Sequence, residues 1–83
     1  MLSLEERLRE LEEPPGAELL DMDAVLRQVG YVVTVDRIHR MYHHQAWNSS
    51  WTFRNGSRLI PPAYAREVVS FIRLKLKREE RTA

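Results

Sequence analysis

Proline and glycine cut this chain into short segments, and that punctuation limits what it can fold into. Pro14-Pro15-Gly16 closes the first segment, Gly30 the second, Asn55-Gly56 interrupts the third, and Pro61-Pro62 opens the last. Proline lacks the N–H that a helix interior needs, and glycine and asparagine tolerate positive φ, so each site ends or turns an element. With 83 residues in total, the segments must share one small core.

The first segment reads as a helix over 4–12. Ser3-Leu4-Glu5-Glu6 fits a capping box, and Leu4, Leu8 and Leu11 fall on one stripe. A helix this short is marginal alone, so it must dock on the body or on a partner. A second helix is expected from Asp21 as N-cap to Gly30 as the C′ residue, with Met22, Val25, Leu26 and Val29 as its apolar face. Thr34 can cap a third, over 35–45. On a wheel of 100° per residue Val35, Ile38, Met41 and Tyr42 share one face, and Arg37, Arg40, His43 and His44 lie opposite. Asn55-Gly56 is a strong hairpin signal, predicting antiparallel strands over 51–54 and 57–60 with Arg54 and Arg58 beside the tip. Proline at N1 opens a last helix whose stripe is Ala65, Val68, Val69, Ile72 and Leu76, with a basic end at Arg73, Lys75, Lys77, Arg78 and Arg81.

Charge is uneven. Residues 1–23 carry eight acids against two Arg, a charge of −6, whereas residues 24–83 carry eleven bases against four acids, a charge of +7. Eleven of the thirteen cations are Arg, which suits bidentate contacts to phosphate. A basic body points to anionic partners. The absence of Cys excludes disulfides and thiolate metal sites. His39 and His43, four apart, would share a helix face but lack a third ligand, so no metal and no cofactor is expected. No nucleophile–base pair, phosphate loop or carboxylate dyad stands out, so no enzymatic activity is expected. Without a long apolar run or leader pattern, a cytoplasmic, nucleoid-associated location is the expectation.

The order helix, helix, helix, hairpin, helix resembles the winged helix-turn-helix of the MerR-like and phage excisionase families. "LLDMDAVLRQVG" would be the first helix, "TVDRIHRMYHH" the recognition helix, and "WTFRNGSRLIPPAYAREVVSFI" the wing and closing helix. The resemblance implies a mostly α fold with a small β-hairpin. An acidic helix and linker over 1–16 would precede the winged domain over 17–83. It further implies sequence-specific binding of double-stranded DNA by a phage- or plasmid-type transcriptional regulator or recombination factor. Arg37, Arg40, His43 and His44 would face the major groove, and Arg54, Asn55, Gly56 and Arg58 would form the wing. Gly30–Thr34 is longer than the usual turn, and the coiled coil and effector domain of full activators are absent, which favours the excisionase-like form. Self-association, as a homodimer or cooperative oligomer, would use the terminal helices through Leu4, Phe71 and Leu74. The competing reading is a protein-interaction module or inhibitor acting on a polymerase, nuclease or other partner.

Overall fold

A computed structural model describes residues 2–14 and 16–82. Pro15, part of the first helix stop, and the side chain of Arg81 in the basic end lie outside the described residues. Helix α1 spans Leu4–Leu11, strand β1 Ala17–Glu18, helix α2 Leu19–Gln28, and strands β2, β3, β4 and β5 Val32–Val35, His39–His44, Ser49–Arg54 and Leu59–Ile60. Helix α3, Pro62–Thr82, closes the chain. Strands β2, β3 and β4 form an antiparallel meander, and β1 pairs with β5 in a separate two-stranded sheet.

Local chemistry accounts for the helix ends. The Ser3 hydroxyl oxygen accepts the Glu6 N–H at 3.2 Å. At the end of α2 the Gly30 N–H donates to Arg27 O and the Tyr31 N–H to Leu26 O, the paired bonds of a Schellman motif. Gly30 supplies the positive φ of +107° that this closure requires. Helix α2 starts earlier than the Asp21 cap expected from sequence, because the Leu19 N–H is met by Arg58 O at 2.9 Å. That backbone acceptor lies just before β5, far from α2 in sequence.

The winged helix-turn-helix is overturned at residues 32–44, where a β-hairpin replaces the third helix. The segment is short and rich in β-branched residues, which favour an extended chain; its apolar positions do not alternate, since Met41 and Tyr42 are adjacent and lie on opposite sides of the sheet, Tyr42 buried and Met41 exposed. Asp36, expected on the helix, instead closes a tight turn: its Oδ1 accepts the Ile38 and His39 N–H groups at 2.8 and 2.6 Å. The register pairs Val33 with Tyr42 and Tyr42 with Trp51.

The expected hairpin at Asn55-Gly56 is also corrected. A type I′ turn needs positive φ at both central residues; Gly56 has +95° and Asn55 does not. The turn therefore sends the chain from β4 in one sheet to β5 in the other. The positive-φ asparagine is Asn48, at +47° in the β3–β4 turn.

One core lies between the inner face of the meander and the helices. Leu8 of α1, Met22 and Leu26 of α2, Tyr42 of β3 and Val68, Val69 and Ile72 of α3 are fully buried. Helix α1 belongs to this core through Leu8 and Leu11. Its acids Glu5 and Glu12 clasp Arg73 of α3 at 2.9 and 3.0 Å.

Candidate nucleic-acid interface

Side chains alternate across a strand, so the register decides which residues meet solvent. Three cross-strand rows lie on the outward face: Val32, His43 and Ser50; Thr34, Met41 and Thr52; and, at the β2–β3 turn end, His39 beside Arg54. All of these residues are exposed. Arg37 is exposed in the turn that this last row adjoins. Asn55 pins that turn to the end of β4, its N–H donating to Ile38 O at 2.6 Å and its Nδ2 to Asp36 O at 3.2 Å.

The opposite face holds the residues that a helical reading had placed outside. Arg40 lies inward, its Nη2 donating to Asp23 Oδ1 at 2.9 Å and its Nε to the Tyr42 hydroxyl at 3.1 Å. Arg27 completes the cluster, its Nε 3.0 Å from Asp23 Oδ2. Burial would raise the Asp23 carboxyl, but the hydrogen bonds from Tyr42, Arg40 and Arg27 outweigh it and hold the group below the ordinary carboxylate range. His44 stacks on Trp47 with centroids 3.9 Å apart and planes at 2°. Its Nδ1 accepts the Trp47 N–H at 3.2 Å, so Nε2, 3.0 Å from Val29 O, carries the proton and donates. Both side chains serve the interior of the fold and neither can reach a ligand on the outward face.

Of the eight residues expected to bind DNA, Arg37, His43 and Arg54 meet solvent on the sheet's outward face or at its turn end, and Asn55 braces that end. Arg40 and His44 are withdrawn. Gly56 lies in the turn beyond β4, with open space around it. Arg58 sits on the β1–β5 side, 3.6 Å from Glu18 with its side chain 86% exposed. The sequence reading missed His39, Met41, Thr34 and Thr52. The signal was present in "HRMYHH", which read at period two sends His39, Met41 and His43 to one side.

The electrostatics of the two faces differ. Glu5 and Glu12 bind Arg73, Glu18 binds Arg58, and Asp23 binds Arg27 and Arg40, all away from the outward sheet face. Among the described residues Asp36 is the single carboxylate of the meander and its turns. It is spent on the turn: hydrogen bonds from the His39 and Ile38 backbone amides hold it below the ordinary carboxylate range. His43 Nδ1 lies 2.7 Å from Ser50 Oγ, which leaves Nε2 free on the surface.

No group of three or more metal-ligating side chains is assembled among the described residues. His39 and His43, four apart on a strand, are held about 13 Å apart, too far to chelate one ion. No described helix is long and apolar enough to cross a membrane. Comparison with family models, with curated proteins and with solved structures finds no match for this chain.

Proposed function

We propose that this protein binds double-stranded DNA with the outward face and turn end of the meander, in place of a recognition helix. The observation that carries the reading is the partition of charge. Glu5, Glu12, Glu18 and Asp23 of the amino-terminal segment are paired with arginines away from the outward sheet face, whereas Arg37 and Arg54, with His39 and His43 beside them, share that face with one turn-bound carboxylate, Asp36, 3.9 Å from the His39 ring. A polyanion is attracted to such a face and repelled by carboxylates on it. Thr34, Ser50 and Thr52 add hydroxyls, a common phosphate-contacting group. A two-stranded ribbon fits the major groove, so the β2–β3 hairpin has the right dimensions to lead with Arg37.

The test is a salt series. The double change Arg37→Ala with Arg54→Ala removes two exposed cations without touching the core. Each lost phosphate contact should flatten the dependence of log affinity on log salt by about 0.9. The double change Arg66→Ala with Lys77→Ala, on the exposed surface of α3, serves as a charge-matched control. Equal affinity and parallel salt lines for the double variant and wild type would remove this face from DNA binding, and a protein-interaction role would then lead.

A further inference from the structure

The two edges of the meander are treated differently. At the β4 edge the Tyr64 hydroxyl of α3 donates to Thr52 O at 2.9 Å and lies 3.3 Å from the Thr52 N–H, so a side chain occupies the groups that another strand would use. Among the described residues the β2 edge has no such cover. The Asp36 N–H donates to His39 O; alternation then makes Thr34–Met41 and Val32–His43 the hydrogen-bonded pairs. The backbone groups of Val33 and Val35 consequently point away from the sheet, into solvent.

Exposed edges are normally blunted by lysine, proline, a bulge or an inward charge. Val32-Val33-Thr34-Val35 has none of these. Val35, on the inner side, is 48% exposed, so the helices do not cover the turn end of this edge. Four consecutive β-branched residues hold the strand extended, which lowers the ordering cost of pairing.

We infer that β2 pairs antiparallel with β2 of a second copy of this chain, centred on Thr34, to join two meanders into one continuous sheet. Charge selects this partner and this direction. Antiparallel pairing about Thr34 sets Val33 against Val35 of the second copy, and each such pair exchanges both of its N–H···O bonds. Asp36 then meets Val32 of the second copy and Arg37 meets Tyr31, so no like charges face each other. Parallel pairing in register would set Asp36 against Asp36 and Arg37 against Arg37. The contact is isologous, as a two-fold dimer requires, and Thr34 packs against Thr34 across the axis, a favourable cross-strand pair. The axis stands perpendicular to the sheet, so both outward faces lie on one side. The surface is distinct from the terminal helices, where Leu4 and Phe71 pack against the chain's own core. The inference does not depend on DNA binding.

Sedimentation equilibrium over a concentration series tests it, with mass rising from 9.8 kDa toward twice that value. Val35→Pro removes an outward N–H at an exposed position without touching the β2–β3 ladder, and Thr34→Lys sets two cations face to face on the axis. Both variants should keep their melting temperature within a few degrees and stay monomeric. The chain has no cysteine, so Thr34→Cys introduces a unique thiol. Non-hydrogen-bonded partners lie about 4.5 Å apart, within disulfide reach. Thr34→Cys should therefore form a covalent dimer with oxidised glutathione, and Val32→Cys, facing Asp36, should not. A wild-type monomer at concentrations up to about 1 mM would overturn the inference. So would a dimer that persists in both edge variants, or cross-linking at position 32 in place of 34. Duplex binding by the monomeric Val35→Pro variant, which changes no residue of the outward face, reads the DNA proposal separately.

Discussion

Tyr42 of β3 and Asp23 of α2, nineteen residues apart, meet through a hydrogen bond of 2.5 Å from the phenol to Oδ1. The same oxygen receives the Arg40 guanidinium at 2.9 Å. This contact fixes how the sheet sits on α2, because Tyr42 is fully buried and a buried hydroxyl needs a partner. Asp23→Ala leaves that hydroxyl and the Arg40 charge without their acceptor, and should cost about 2–3 kcal/mol in denaturant unfolding. Tyr42→Phe removes one donor from a carboxylate that keeps two others, and should cost about 1 kcal/mol. Equal stability of Asp23→Ala and wild type would show that the cluster does not hold the sheet.

Stability should form a plateau bounded by acids on one side and tyrosines on the other. Asp23 and Asp36 lie below their ordinary value of 3.8 in the folded chain. A depressed carboxyl stabilises the fold above its unfolded value, and that contribution is lost as pH falls below about 3.8 toward the folded value. Tyr42 and Tyr64 are pushed above 10.0, chiefly by burial. A raised group stabilises below its unfolded value, and that contribution fades as pH rises past about 10. Thermal unfolding from pH 2 to 11 should show both shoulders, and Asp23→Asn should weaken the acid one. A variant curve parallel to wild type below pH 4 would exclude Asp23 as its source.

Two glycines with positive φ should differ sharply on substitution. A Cβ on Gly56, at φ +95°, meets nothing within 4 Å, so Gly56→Ala should cost only conformational strain, about 1 kcal/mol. A Cβ on Gly16, at φ +137°, would fall 2.3 Å from Ile60 O, a backbone atom. Gly16→Ala must part β1 from β5, and should cost several times more, about 3 kcal/mol or above. Comparable melting temperatures for the two variants would argue against the β1–β5 pairing.

The docking of α1 has an apolar and an ionic component that can be separated. Leu8 is fully buried, and Leu8→Ala should cost about 3 kcal/mol. Arg73 bonds both Glu5 and Glu12 but is a third exposed, side-chain accessibility 34%; Arg73→Met should cost about 1 kcal/mol or less. Amide hydrogen exchange should show α1 opening together with α3 in wild type and earlier than α3 in Leu8→Ala. Independent opening in wild type would make α1 a separate unit.

Several elements were legible because their determinants lie within four residues of each other. Ser3 capping Glu6, Gly30 closing α2, Pro62 opening α3 and the Ala65–Val68–Val69–Ile72 stripe are local patterns, and each appears in the fold. The candidate site was less legible. Arg37, His43 and Arg54 reach the surface as a cationic reading required, but Arg40 and His44 do not. Changing the period from 3.6 to two reassigns each residue of 35–45 to a side, and the apolar residues there, with Met41 next to Tyr42, show no alternation to announce the strand.

Tertiary contacts made that choice. The sequence by itself determined where α1 starts, where α2 stops and where α3 starts, and which helical residues are apolar enough to bury. It did not determine that Tyr42 would enter the core with its hydroxyl on Asp23, nor that Leu19 would take its cap from Arg58 O and start α2 early. Those bonds join residues far apart in the chain. Their free energy exists only once the sheet is seated on the helices, and it outweighs the small difference between helix and strand in a segment that could have formed either.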